Sequence, residues 1–256
     1  MNELSARASA DNERLSGGHA CFVHLRVHSA YSLSESTLRL NKLAELAAAD
    51  HQPALAITDS FNLFGAFEFS QKMIKSGIQP IIGAVVSLRD QDGTGEVVLL
   101  AQSEAGYVNL SDLVSQALLA TDPAQKPEIL LESLSQRPTG LLLLSGGYGS
   151  GFLGQLAWNG QDNAARRRAK WLKSVFAENA YIELQRHGRA QEENAEELLL
   201  ALAEETGLPL VATNDCHFET EQMHVPQRVL RCIAQSERLA SMSETGITPN
   251  HYFKTS

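Results

Sequence analysis

Cysteine is scarce in this chain: Cys21, Cys216 and Cys232 are odd in number and none sits in a CxxC pair, so no cysteine-ligated metal site is signalled. Long apolar runs are missing too. Stretches such as Val97-Val98-Leu99-Leu100-Ala101 fall far short of the ~20 residues that span a bilayer. The first twenty residues are polar and hold no apolar signal-peptide core. Positive charge is in deficit, with 21 Lys and Arg against 30 Asp and Glu, a net −9. A module built only to grip a phosphate backbone carries the opposite sign, so little direct DNA contact is expected. Neither an interior Gly/Pro/Ser linker nor a repeat at fixed period divides the chain. These absences leave an acidic, soluble, cytoplasmic globular protein, with residues 1–20 as a flexible lead-in and 21–256 as a single domain.

What is present is enough for a core: 43% of residues are hydrophobic and 20% charged, outside the disordered range. Short runs rich in Val, Ile and Leu predict seven strands, at Phe22–Val27, Ala54–Thr58, Gln79–Gly83, Glu96–Ala101, Gly140–Leu144, Ala180–Leu184 and Leu208–Thr213. Helical periodicity fills the gaps: Leu40, Leu43, Ala44 and Ala47 form one stripe, and Leu110, Leu113, Val114, Ala117 and Leu118 another. Gly77 and Gly207 stand where left-handed helix caps precede strands. Strands alternating with helices imply a parallel sheet covered on both faces, either open and doubly wound or closed as a barrel. Asp90–Gly95 reads as a surface turn. The basic cluster Arg166, Arg167, Arg168, Lys170 and Lys173 reads as a solvated helix face in preference to a phosphate site. The acidic run Glu192, Glu193, Glu196, Glu197, Glu204 and Glu205 is a helix surface, solvated or docking.

In parallel α/β folds, ligands gather beyond the carboxyl ends of the strands. The first strand runs into His28, with His24, Arg26 and His28 alternating onto one face. The second ends at Asp59, the sixth runs into Gln185, Arg186 and His187, and the seventh into Asn214, Asp215, Cys216 and His217. Imidazoles and carboxylates converging from different strands are ligand types for Zn, Mn or Fe in a hydrolytic site. A single strand-end His is more commonly a hydrogen-bonded structural residue, and Asp59 could merely cap a helix. Asp215 and His217 leave one strand end toward the same rim, with Cys216 turned away as a small apolar residue.

The opening run Phe22-Val23-His24-Leu25-Arg26-Val27-His28-Ser29-Ala30-Tyr31-Ser32 resembles the start of the PHP (polymerase and histidinol phosphatase) domain of bacterial DNA polymerase III alpha subunits. Further blocks follow in order: Ala56-Ile57-Thr58-Asp59, Asn62-Leu63-Phe64-Gly65, Pro80-Ile81-Ile82-Gly83, Gly106-Tyr107-Val108-Asn109-Leu110, Leu144-Ser145-Gly146, Ile182-Glu183-Leu184-Gln185 and Ala212-Thr213-Asn214-Asp215. The ending Asn250-His251-Tyr252-Phe253 is similar to that family's exit from the domain. The resemblance implies an α/β fold, a distorted seven-stranded (β/α) barrel.

It also implies a metal site, which can be followed position by position. Of the two opening histidines only His28 remains, the other being Arg26. Glu35 keeps a carboxylate seven residues later. Asp59 keeps its place, but its partner histidine is Ser60. A Glu after the third strand is Val85, a His opening the next is Glu96, and a Cys after Leu-Ser-Gly is Gly147. Asp215 and His217 are intact, and His187 is a rim position. Arg26 cannot deprotonate to become a ligand, and His28, Glu35, Asp59, Asp215 and His217 are too few for a multinuclear centre. Arg26 is expected to pair with Asp59 or Asp215. The resemblance therefore implies a vestigial metal site without catalytic residues and a structural role, with no cofactor for this domain. Its partners would be the remaining polymerase domains in cis, the proofreading exonuclease subunit and other holoenzyme subunits. Mg²⁺-dependent DNA synthesis would belong to the longer polypeptide. The alternative is an active phosphoesterase or 3′–5′ exonuclease using Zn, Mn or Fe.

Overall fold

The computed structural model describes residues 22–122, 124–239 and 246–255. The expected lead-in, residues 1–20, and Cys21 lie outside the described residues. Helices α1 (Leu40–Ala49), α2 (Ala66–Lys75), α3 (Glu104–Ala120), α4 (Leu131–Ser135), α5 (Gly154–Trp158), α6 (Asp162–Phe176), α7 (Ala190–Thr206) and α8 (His224–Gln235) surround seven strands. The strands are β1 (Ala54–Ser60), β2 (Gln79–Asp90), β3 (Gly93–Ala101), β4 (Ile129–Leu130), β5 (Leu141–Leu144), β6 (Ala180–Leu184) and β7 (Leu210–Ala212). Both predicted helical stripes face inward: Leu40, Leu43, Ala44 and Ala47 are buried in α1, and Leu110, Leu113, Val114 and Ala117 in α3. Leu118 is the exception and stays half exposed. Gly77 and Gly207 both take positive φ where their helices stop.

The sheet order is β1-β2-β3-β5-β6-β7, with β4 added to the far end of β2. It is mixed, not all-parallel, which corrects the expectation from alternation. Asp90 pairs with Gly93, leaving only Gln91 and Asp92 to connect β2 to β3. A parallel crossover needs a dozen or more residues, so β3 must run back antiparallel, and it pairs antiparallel with β5 as well. The predicted turn at Asp90–Gly95 is this hairpin end. A second correction concerns Phe22–Val27, which forms no regular strand. Residues 24–28 nonetheless close the ring: the Ala56 and Thr58 amides donate to His24 and Val27 carbonyls at 2.9 and 2.8 Å, and the His28 amide donates to Cys216 at 2.9 Å. The result is a curled, distorted (β/α) barrel.

Its interior is an apolar layer drawn from every strand but β4. Ala56, Val85, Val98, Leu100 and Leu144 are buried together, with Leu25, Ile81, Leu142, Tyr181 and Val211 against them. The register aligns Val85 with Val98, Val98 with Leu144 and Leu144 with Tyr181. Outside the sheet, a larger core joins β2, β3, β5 and β6 to α3, α5, α6 and α7. Most of the basic cluster on α6 is taken up by intramolecular pairs: Arg166 forks onto Glu205, Arg167 onto Asp92, and Lys173 reaches Glu178. Arg168 is not solvated but buried, forking onto Asp90 at 2.8 and 2.9 Å with its guanidinium over the Phe152 ring. The acidic helix is similarly engaged, since Glu192 caps the amides of His187, Gly188 and Arg189 and Glu196 holds Arg186. Among the described residues, no helix is long and apolar enough to cross a membrane.

Candidate functional site

Side chains alternate along a strand, so continuing each interior row beyond the apolar layer gives the residues at the barrel's rim. Tyr181 leads to Glu183 and Gln185, and Val211 to Thr213 and Asp215. Because β3 runs backwards, Leu100 and Val98 lead to Glu96 near its start, and Glu96 reaches the rim where the parallel strands end. Residues 24–28 bring Arg26 and His28 to this rim. His24 does not join them. Its ring packs on Phe253, its Nε2 faces the Lys254 carbonyl at 2.8 Å, and the expected common face with Arg26 fails because the segment lacks strand geometry.

Arg26 lies at the centre, 3% exposed, with three carboxylates around one guanidinium. Its Nε donates to Asp215 Oδ1 at 2.8 Å, Nη2 lies 3.3 Å from Glu96 and Nη1 3.5 Å from Glu183. Of the two partners expected, Asp215 is correct and Asp59 is not. Asp59 accepts from the Ser29 amide and hydroxyl at 2.7 Å each and from Ser32 at 2.5 Å, which ties the turn after residue 28 to β1. Burial works against the charge on Arg26, but Asp215, Glu183 and Glu96 outweigh it and raise its pKa. Asp215 shows the mirror effect: burial pushes its carboxyl up, yet Arg26 and His217 hold it well below the usual range.

Two imidazoles flank the same carboxylate. His28 and His217 stack with ring centroids 4.3 Å apart, and their Nε2 atoms face Asp215 Oδ1 at 3.2 and 3.4 Å. Burial opposes charge on His28, but the Asp215 carboxylate 3.2 Å from its Nε2 prevails and raises its pKa. On His217, burial and the neighbouring His28 prevail and lower it. Glu35 stands apart, accepting from Ser60 Oγ at 2.5 Å. Cys216 points away into the core beside Val27 and Leu55, and burial pushes its thiol up to about 12.

These groups floor a cavity of about 530 Å³ whose walls include Glu35, Ser60, Val85, Glu96, Gly147 and His187. His187 stacks on His251 at 3.7 Å, and its Nε2 faces the Asn214 carbonyl at 2.8 Å. The Gly147 position is closed to side chains, since a Cβ there would lie 1.9 Å from Gln185 Oε1. Gln185 is itself pinned, its Nε2 donating to Glu183 Oε1 and Thr213 Oγ1 at 2.9 Å each, while Thr213 also donates to Glu183. Strand-end reading reaches Gln185, whereas Glu183, Thr213 and His251 are the site residues that it passes over. The one available signal was Glu183, a charged residue inside the apolar run Ala180–Leu184.

Among the described residues, His28, Asp215 and His217 alone bring at least three metal-type donors within 4.8 Å of one another. That set does not fit a multinuclear centre. Three donors are too few, and the Asp215 oxygen that faces both imidazoles is already bonded by a permanent guanidinium cation. Asp59 is turned to serines, Glu35 to Ser60, and Glu96 and Glu183 to Arg26.

Residues 24–187 match the family model of the PHP domain. The DNA polymerase III subunit alpha of Caulobacter vibrioides is 36% identical over 241 residues, which cover 91% of this chain and 21% of that protein. The subunit alpha of Vibrio cholerae is 37% identical over 204 residues, 78% of this chain and 18% of the relative. The chain thus spans about a fifth of the length of the curated relatives it matches. Among solved structures, an amidohydrolase of Chromobacterium violaceum with bound sulfate and no metal superposes with a TM-score of 0.54 at 16% identity, covering 76% of this chain and 87% of its own. A protein assigned as a metal-dependent phosphoesterase from Bifidobacterium adolescentis gives 0.52 at 14%, covering 78% and 88%. At such identities the likeness is one of fold.

Proposed function

This chain belongs to the PHP domain family, and we propose that it serves as the N-terminal PHP domain of a replicative DNA polymerase III alpha subunit, in a form whose metal centre has given way to a buried arginine. On this reading the domain is structural. It supports the polymerase domains of the longer polypeptide in the cytoplasm and offers a surface to the proofreading exonuclease subunit and other holoenzyme subunits. Mg²⁺-dependent nucleotidyl transfer belongs to those other domains, and little DNA contact falls to this one.

The observation that carries the reading is the cage of Asp215, Glu96 and Glu183 around Arg26. A hydrolytic PHP site needs ions to polarise a phosphoryl group and to make hydroxide at neutral pH. Here the position is filled by a cation that offers no coordination site and holds its proton at every accessible pH. What it supplies is cohesion, because one planar fork satisfies carboxylates from three separate parts of the barrel.

The competing reading is an active phosphoesterase or 3′–5′ exonuclease, which the convergence of His28, Asp215 and His217 favours. One experiment separates them: metal analysis of chain purified without chelator, beside assays on a phosphomonoester and on a 3′-ended oligonucleotide. The structural reading expects far less than one equivalent of Zn, Mn or Fe and no hydrolysis. Stoichiometric metal with turnover abolished by Asp215→Ala would overturn it.

A further inference from the structure

Where the barrel closes, three stretches without regular strand geometry run side by side: residues 24–28, 214–218 and 250–254. Parallel bridges join Val27 to Cys216 and Phe218 to Tyr252. Between the first two, the His28 and Cys216 amides donate to Cys216 and Arg26 carbonyls at 2.9 and 3.1 Å. Between the last two, the His217 and Phe253 amides donate to His251 and Phe218 carbonyls at 2.9 Å each. Asn214 Nδ2 adds a bond to the Tyr252 carbonyl at 2.7 Å. Each stretch also sends side chains to the cavity: Arg26 and His28 from the first, Asp215 and His217 from the second, His251 from the third.

The middle stretch is bent at Asp215, which sits at φ +50°. Aspartate tolerates this left-handed region better than most residues, but such a conformation persists only where its surroundings hold it. The bend sends the residue before it, Asn214, to the third stretch and Asp215 itself to Arg26. Arg26 Nε at 2.8 Å is the shortest side-chain contact holding the bent residue. The third stretch belongs to no helix or strand: His187 holds its start, where Asn250 Nδ2 donates to the His187 carbonyl at 2.9 Å, His24 holds its end at the Lys254 carbonyl, and the bent stretch holds the backbone of residues 251–253 between them.

We infer that the Arg26–Asp215 pair is the fastener of this seam, coupling the cavity floor to residues 250–254, so that disturbing the pair releases those residues before the rest of the barrel opens. The inference rests on the reading that a resident arginine, not a metal, fills the site. It gives the buried cage a mechanical output: the state of the cavity sets how firmly residues 250–254 are held.

Amide hydrogen exchange of the 256-residue chain at neutral pH tests it, comparing the native chain with Arg26→Met and Asp215→Asn. Asp215→Asn keeps the size and the left-handed tolerance but loses the charge. The expected result is that the Phe253 amide, which donates across the seam, exchanges at least ten-fold faster in either variant than in the native chain and is at least ten-fold less protected there than the central amides of β3, which exchange when the whole barrel opens. Unchanged exchange at 253 overturns the coupling. So does equal protection at 253 and in β3 in the variants, which would mean that residues 250–254 are released only with the whole barrel. If Arg26→Met does not fold, Asp215→Asn carries the same comparison; if neither folds, the pair holds the whole barrel and the inference fails. Stoichiometric metal in the native chain would instead strike the underlying reading, whatever the exchange pattern.

Discussion

Replacing Arg26 with methionine keeps most of the apolar stem and removes the charge, leaving Asp215, Glu96 and Glu183 facing one another without a cation. Breaking a buried ion pair by removing one partner costs about 3–5 kcal/mol, because the remaining charge is stranded in a poor solvent. In a domain of this size that is roughly 6–20 °C of melting temperature, taking 2–4 °C per kcal/mol. The pH dependence sharpens the test. In the native chain Asp215 titrates well below its ordinary 3.8, so its contribution is fully present above that value and is lost as pH falls through the folded pKa. Without Arg26, burial of Asp215 is opposed only by His217 and His28, and its pKa must rise. The variant is then penalised most where the carboxylates are ionised, and the gap between the two proteins widens from pH 4 to pH 7. Urea unfolding at both pH values reads it directly. A deficit below about 1 kcal/mol at pH 7, the range of an exposed pair, would refute the cage as a buried interaction. An equal deficit at pH 4 would show that lost packing, not charge, is responsible.

Gly147→Ala should destabilise the chain by about 1–3 kcal/mol, because the new Cβ meets the pinned Gln185 amide, and thermal melts should show partial rescue in Gly147→Ala/Gln185→Ala. His251 is held well below its ordinary 6.5 by burial and by the neighbouring His187. Its contribution is therefore complete above pH 6.5 and fades as pH falls below it, and His251→Gln should flatten the urea-derived stability slope between pH 6.5 and 5 by up to about 1.4 kcal/mol per pH unit. Arg168→Leu should cost about 3–5 kcal/mol by stranding Asp90, measured by urea unfolding, whereas Lys170→Ala on the same helix should leave the melting temperature unchanged.

The cage shows what a linear reading reaches and where it stops. Its donors His28, Asp215 and His217, and the foreign cation Arg26, are visible because short apolar runs announce strands, and polar residues at their carboxyl ends announce a rim. Glu96 falls outside that rule. It opens a strand, and only the two-residue connection Gln91-Asp92 reveals that β3 is reversed, which carries a strand's beginning to the rim where its neighbours end. Glu183 escapes for a related reason. Inside an apolar run its charge looks like an interruption until a partner across the barrel, distant in sequence, explains why it is tolerated at full burial. The same distance misdirected Arg26 toward Asp59. Both carboxylates are buried near strand ends, but Asp59 is satisfied by Ser29 and Ser32, whose short hydroxyl side chains follow Arg26 within six residues. Asp59 takes three donors from Ser29 and Ser32, so the guanidinium goes to carboxylates that keep an oxygen free for it. Glu183 gives Oε1 to Gln185 and Thr213 and leaves Oε2 to Arg26, Glu96 shares itself between Arg26 and a serine from another loop, Ser150, and Asp215 turns Oδ1 to Arg26.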